Sequence, residues 1–446
     1  MLGLSHLSGC SHKALLLVMS MGVIALLCGS WLTPVFVLAL LTLNYYTLAG
    51  NFAPPMASRV LVWLNWSVLP LGFFALQSYG YVGVLGDTSP VGSSTNAVLL
   101  LGLPFYTLSI LSLNHEIQIG RMLRPSWLDY VLFGIYFPKF LSGPVEQPAF
   151  MAQLSAFRFK YNRARLGAGC DWILLGAFCK FIVAYYLSRN VHTQEYHHVL
   201  TIVQSVVAFE LQVYFDLAGY SFMACGVSTI LGLELTLNFN HPFFAGNIQS
   251  FWQRWHISLG RWFHQYVHTP LRAMGPKMVW VQLLLPILVF LLSAVWHGQT
   301  LNFLVWGLWH GLAYLTYVRW LRGRTWPAWL GLLTLLSVLL FGRFLFMESD
   351  FHFLMVKLHR LLSWRAWQED FSGFDGAGLD IRQAATADML VALVLSTGFL
   401  WAEWRSQRLG LGAYALFRRP RAQWLMIAIA LLLIEGAPTV FIYARQ

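Results

Sequence analysis

Apolar runs long enough to cross a bilayer recur along most of this chain, and that one feature limits the folds open to it. A membrane helix needs about 20 mostly apolar residues. Runs of that order lie at 14–30, 32–48, 59–79, 97–113, 127–145, 168–188, 199–218, 278–296, 301–318, 328–347, 386–402 and 423–443. In hydrocarbon every backbone N–H and C=O must be satisfied within the protein, so such runs fold as helices. The expectation is an all-α polytopic membrane protein with about 11–12 transmembrane helices. Composition agrees: of 446 residues 58% are hydrophobic and 11% charged, where soluble domains carry about 25% charged residues. A large soluble helical protein is excluded.

The formal net charge is +11. The basic side chains sit in short loops between apolar runs, which is the positive-inside pattern rather than a nucleic-acid surface. Arg254, Arg261, Arg272 and Lys277, the loop "RWLRGR" (319–324), and Arg405, Arg408, Arg418, Arg419 and Arg421 mark one side. The basic stretch 158–165 fits the same side. Residues 348–385 carry Glu348, Asp350, Glu369, Asp370, Asp375 and Asp380 and mark the other. Basic loops are expected inside and the acidic loop outside, as in a multi-pass membrane protein. Residues 297–300 then fall at an outward turn or at a break within the membrane. The first apolar run is followed at once by a second, so it is expected to stay as a membrane helix rather than serve as a cleaved signal. Cys10, Cys28, Cys170, Cys179 and Cys225 are scattered, without a C-x-x-C pair, so neither structural zinc nor a disulfide framework is expected.

One segment is not a span. On a helical wheel of 251–268, Trp252, Trp255, His256, Leu259, Trp262, Phe263 and Tyr266 share one arc. Gln253, Arg254, Ser258, Arg261 and Gln265 oppose it. That is an amphipathic helix at or dipping into the interface. His256 lies in its apolar arc and needs a polar partner inside the protein.

Ionisable groups inside a membrane are costly and mark function by default. Seven of the 14 histidines, His6, His12, His192, His197, His198, His352 and His359, lie in loops or near termini and need no such reading. His297 differs. It stands where an apolar run breaks at Gly298-Gln299-Thr300, and irregular backbone at membrane depth must be buried in protein or line a wet cavity. A metal centre built from His241, His256, His297 and His310 lacks H-x-x-x-H or H-E-x-x-H spacing and nearby carboxylates, so no metal is expected. A serine hydrolase lacks its G-x-S-x-G turn.

Several motifs occur together in order: "FPKFLSGPV" (137–145), "YFDLAGYS" (214–221), "NFNHPFFAGNIQSFWQRWHISLGRWFHQYVHTPL" (238–271), "VWHGQTLNFLVWGLWHG" (295–311) and "FGRFLFMESDFHFLMVKL" (341–358). Over roughly residues 100–360 the chain resembles the membrane-bound O-acyltransferase family, in its bacterial alginate O-acetylase and D-alanyl transfer branches. The resemblance implies helices around a central tunnel, with re-entrant or amphipathic pieces. It also implies N-terminal transmembrane helices over 1–96, a catalytic core over 97–360, and an outward loop with C-terminal helices over 361–446. A thioester donor on the cytoplasmic side, acetyl-CoA or a phosphopantetheine carrier protein, gives its acyl group to a hydroxyl of an envelope polysaccharide. No bound cofactor is expected, and the partners are the bilayer, donor and acceptor, with a small carrier protein or an outer-face acyltransferase among the candidates. A transporter or assembly scaffold without chemistry is the reading from another class.

By the same resemblance His297 matches the catalytic histidine and His256 the second motif histidine. Imidazole can take a hydroxyl proton near neutral pH. Trp296, Asn302, Trp255 and His310 are expected along the tunnel, with His256, Asn302 or a tryptophan N–H orienting the thioester or steadying the oxyanion. His310 follows His297 by 13 residues, about 20 Å along an unbroken helix, which makes it structural or tunnel-lining. Asp216 is expected to neutralise an arginine, fix a histidine or hold the fold. Asn238 is expected to cap the "NFNHP" turn. The family's "GYSD" reads Gly219-Tyr220-Ser221-Phe222 here, so one acidic position is missing.

Overall fold

The computed structural model of the chain describes residues 9–28, 31–48, 103–191, 198–274, 278–298, 300–324, 327–348, 350–372 and 387–433. The expected span 59–79, the start of 97–113, the end of 423–443, the centre of the acidic loop, and His6, His192, His197, Lys277 and Gln299 lie outside the described residues.

Among the described residues helix is the only regular structure, without strands. Five helices there are long and apolar enough to cross a membrane: Gly9–Leu27, Arg163–Ser188, Val199–Leu231, Val279–His297 and Ala328–Met347. Leu32–Thr47 and Pro420–Leu433 are apolar but shorter. The other expected spans differ for local reasons. The run 127–145 divides into Trp127–Ile135 and Phe137–Phe140, with Tyr136 outside the α region (φ −57°, ψ 107°). The residue before Phe137-Pro138 is thus already turned, as a proline near a helix start favours. The 301–318 run is a helix over Leu301–Thr316 that widens into a π-turn at Tyr317–Leu321.

The chain groups into two compact units, Met1–Ile173 with Ser221–Leu237, and Leu174–Tyr220 with Asn238–Gln446. In the first, the Trp127–Ile135 helix is buried along most of its length. It packs against Gly9–Cys28, Leu32–Thr47 and Leu103–Gln118. Its Tyr130 hydroxyl donates towards Asn44 Oδ1 (2.6 Å) and Asn114 Oδ1 (2.9 Å), a network that satisfies three buried polar side chains. Lys13 Nζ meets Asp129 Oδ1 at 2.6 Å.

The second unit holds most of the motif residues. Its centre is a helical hairpin of Val279–His297 and Leu301–Thr316, packed on Ala328–Met347. Without a hydrophobic drive between helices in lipid, small residues that let backbones approach hold such pairs. Gly307 and Gly311, four residues apart on one face, do this here. A Cβ on Gly307 would lie 2.8 Å from Phe290 O, and one on Gly311 2.8 Å from Ile287 Cα. Those neighbours are backbone and cannot swing away. Gly311→Ala should therefore cost about 1–3 kcal/mol, the usual price of overpacking, seen as a lower thermal midpoint in detergent; an unchanged midpoint would mean that the hairpin is looser than described.

Candidate active site

The hairpin decides where the histidines meet. Val279–His297 ends on His297, and Gly298 continues in extended backbone (φ 173°, ψ 169°) with its N–H donating to Ala294 O. Phe303 fills the space that a side chain at 298 would need, its Cε2 2.2 Å from an added Cβ. The chain then turns back, so His310 runs beside Phe290 (rings 6.0 Å apart) instead of lying far beyond His297. The distance expected for an unbroken helix does not apply. The Trp306 ring stands between the two imidazoles, 5.5 Å from His297 and 5.0 Å from His310.

His256 arrives from a separate segment. The expected single amphipathic helix over 251–268 is broken. Ile248–Trp252 stops, His256 takes a left-handed conformation (φ 45°, ψ 51°), and Ile257–Phe263 restarts before a π-turn at His264–His268. Hydrogen bonds to 238–240 cause the break. Arg254 O accepts from Asn240 N, and Asn238 O accepts from Ile257 N (2.9 Å). Asn238 Oδ1 accepts from Ser258 N at 3.1 Å. Asn238 thus caps, as expected, but the helix it caps begins 19 residues later, at Ile257. A non-glycine residue held in this region costs about 1–3 kcal/mol and persists only where its surroundings over-determine it. His241, earlier in the same segment, is also left-handed (φ 50°). Its Nδ1 lies 3.3 Å from Oε1 of the fully buried Glu403, which also accepts from Tyr214. Asn238→Ala should lower stability by about 1 kcal/mol, the value of a lost cap, and reduce turnover by letting His256 relax; a turnover indifferent to this change would separate the left-handed turn from function.

Of the predicted arc, Trp255, His256, Leu259, Trp262 and Phe263 are buried and Trp252 and Tyr266 half-buried; opposite, Gln253, Arg261 and Gln265 are exposed and Arg254 half-buried, but Ser258 is buried. Within the second unit, His256, His297 and His310 line one cavity, of ≈670 Å³ counted out to its open mouth. Its walls include Trp252, Trp255, Trp306, Phe346, Glu210 and Arg343. Three buried wall atoms, Glu210 Oε1, Trp252 Nε1 and His310 Nδ1, have no hydrogen-bond partner among the described residues. Buried polar groups are normally satisfied, so this wall suits a polar group entering from outside.

The remaining expected residues are placed as follows. Trp255 lines the cavity. Trp296 lies behind it, its ring 4.8 Å from His297 and 6.5 Å from His256. Asn302 does not face the cavity; its amide donates to Glu348 O, and Lys357 Nζ meets Glu348 Oε2 at 2.8 Å, pinning the hairpin turn. Asp216 pairs with Lys180, neither an arginine nor a histidine, and both side chains are buried. No group of three or more His, Cys, Asp or Glu side chains suited to a metal occurs among the described residues.

Arg343 and Glu210 went unread in the sequence. Each is a charge within an apolar run, a signal that marks a site by default. Arg343 Nε donates to Glu210 Oε2 at 2.6 Å, and its Cζ stands 5.3 Å from the centre of the Phe346 ring. Phe346 in turn lies 5.2 Å from the His297 ring.

Comparison of the sequence with known proteins identifies a family. The sequence pattern of the membrane-bound O-acyltransferases matches residues 22–346. The chain is similar to a peptidoglycan O-acetyltransferase of Helicobacter pylori, 33% identical over 264 residues, or 55% of this chain and 47% of that protein. It is similar to a teichoic acid D-alanyltransferase of Bacillus subtilis, 27% identical over 308 residues, 64% of this chain and 77% of that protein. A probable alginate O-acetylase of Pseudomonas aeruginosa is 28% identical over 331 residues, 70% of this chain and 62% of that protein. The match thus spans less than half of the Helicobacter protein and less than two thirds of the Pseudomonas one. With five membrane-spanning helices among its described residues and the family pattern over most of its length, this multi-pass membrane protein belongs to the membrane-bound O-acyltransferase family.

Proposed function

We propose that this chain is an O-acyltransferase that moves a short acyl group, acetyl first, from a cytoplasmic thioester to a hydroxyl of a cell-envelope polysaccharide. One observation carries the reading: His297, the last residue of an apolar helix, shares a cavity with His256 and His310. An imidazole there can act as general base. As the acceptor oxygen attacks the thioester carbon, His297 takes the hydroxyl proton. The new C–O bond replaces the C–S bond, and the proton leaves with the thiolate as a thiol. Because a thioester already carries a good leaving group, no covalent enzyme intermediate is needed. His256, set by Asn238 and the left-handed turn, orients the donor. The relatives' names support an envelope acceptor, and a carrier protein or a second outer-face enzyme belongs to the same proposal.

The test feeds cells radiolabelled acetate or D-alanine, with and without the gene, and counts label in the isolated envelope polymer. Acetate label that depends on the gene supports the proposal. Gene-dependent D-alanine label moves it to aminoacyl transfer. Gene-independent label in both arms overturns acyl transfer in favour of a transporter or scaffold.

A further inference from the structure

We propose that Arg343 is a catalytic residue, binding the carbonyl oxygen of the thioester as it gains negative charge, with Glu210 as the positioning residue that aims it. This rests on the acyl-transfer reading and adds a group that neither the motifs nor the comparisons assign.

The argument begins with what the ion pair leaves unmade. A guanidinium and a carboxylate can join through two parallel hydrogen bonds. Here only Nε is engaged, with Glu210 Oε2. Neither Nη of Arg343 carries a hydrogen bond among the described residues, and Glu210 Oε1 is buried without one. Both side chains are nearly enclosed, at 11% and 6% exposure. An arginine in such a place has N–H donors left over for a group that enters the cavity.

Its position is restrained on several sides. The guanidinium carbon lies 5.3 Å from the centre of Phe346, 5.7 Å from that of Phe209 and 5.9 Å from that of Trp255. A cation held by ring faces is favoured most where it is desolvated. Phe346 also packs on His297 and Trp306, so one ring links the proposed base to the cation. Among the residues lining the cavity, Arg343 is the one with a permanent positive charge.

Chemistry asks for such a group. When the acceptor oxygen adds to the thioester carbon, the carbonyl π electrons move onto its oxygen, and that charge is quenched as the C–S bond breaks. Donors fixed beforehand in a dry site stabilise this oxygen without reorganising at the moment of reaction. Arg343 has the unused N–H groups, the charge and, through Nε, the one hydrogen bond to Glu210 that such a task needs. The proton still moves from the acceptor hydroxyl to His297 and on to the departing sulfur, so nothing else is oxidised or reduced.

The experiment uses the full chain in membrane vesicles, with [14C]acetyl-CoA as donor and the isolated envelope polymer as acceptor. Removing Arg343 alone would bury a lone carboxylate, so the main variant is the double substitution Glu210→Gln/Arg343→Gln, which removes both charges. It should lose about 10²–10³-fold in kcat, the value of one oxyanion donor, with KM for the thioester little changed. Arg343→Lys keeps charge but not the planar fork, and should recover part of that loss. Glu210→Gln alone, which leaves a neutral hydrogen bond in place, should cost roughly tenfold. Abundance and gel-filtration profile confirm folding for each variant. A KM that rises while kcat holds would overturn the proposal, since Arg343 would then bind ground-state donor only. Full activity in the double variant would overturn it too. If transfer is lost in His297→Ala but indifferent to Arg343, this inference fails alone. If wild-type vesicles transfer nothing, or His297→Ala transfers normally, the acyl-transfer reading fails and takes this inference with it.

Discussion

His297→Ala should lower envelope acylation by about 10²–10⁴-fold, the value of a positioned general base, while the protein accumulates in membranes at wild-type level. The side chain ends a helix beside an existing cavity and packs on the rings of Trp296, Trp306 and Phe346. Deleting it enlarges a space that is already there. Label counted in the envelope polymer of cells carrying the variant checks the rate, and a blot of the membrane fraction checks the amount. Wild-type label with wild-type protein would remove His297 from the chemistry. His256→Ala should also lower the rate, with a larger share of the loss in KM, since an orienting group acts on donor binding as well as on turnover.

The second large effect concerns stability. Asp216→Ala should destabilise the fold by about 3–5 kcal/mol, because it leaves the Lys180 ammonium buried without its charged partner. The pair ties the π-turn at Phe178–Val183 to the long Val199–Leu231 helix. That crossing is close: a Cβ on Gly219 would meet Gly176 O at 2.8 Å. Removing both charges in Lys180→Met/Asp216→Leu should restore much of the loss, as an apolar pair of similar size often replaces a buried ion pair at little cost. Gel filtration after a temperature series reads the midpoint of each variant. A single variant as stable as wild type would show that the ammonium reaches water or another acceptor, and the buried pair would carry no weight in the fold.

Much of the helix layout was legible because lipid leaves the backbone few choices. The runs 278–296 and 328–347 correspond to helices Val279–His297 and Ala328–Met347. The hydrophobic arc of 251–268 holds in outline, with Leu259, Trp262 and Phe263 buried on the second piece and Trp252 half-buried on the first. The break itself was not legible. It depends on backbone hydrogen bonds from 238–240, and periodicity along one segment carries no trace of a partner elsewhere. His310 was misplaced for a related reason. Its distance from His297 was counted along one helix, although Gly307-x-x-x-Gly311 in the second run signals a helix that packs closely on a neighbour. Reading that pair would have folded the two runs together and brought His310 back to the cavity.

The charges inside apolar runs were the larger omission. Arg343 and Glu210 each interrupt a hydrophobic stretch, and each needed a partner at membrane depth. Their residues are 133 positions apart, so sequence could raise the question but not supply the pairing. Asp216 posed the same problem, and its partner proved to be a lysine 36 positions earlier. Asn302 failed differently. Its place just past the break suggested a substrate contact, but the carbonyl of Glu348 already takes its amide. The family motif therefore located the histidines, while packing alone selected the groups that surround them.

The most direct test is a structure of the full chain with a thioether analogue of acetyl-CoA, in which a methylene blocks transfer. The expected map places the analogue's carbonyl carbon in the cavity beside His297, with its oxygen towards Arg343 and the imidazole about 3–3.5 Å from where an acceptor oxygen must stand. A well-ordered analogue bound elsewhere, with the His297 ring sealed among Trp296, Trp306 and Phe346 and no passage reaching it, would contradict general-base catalysis at this histidine.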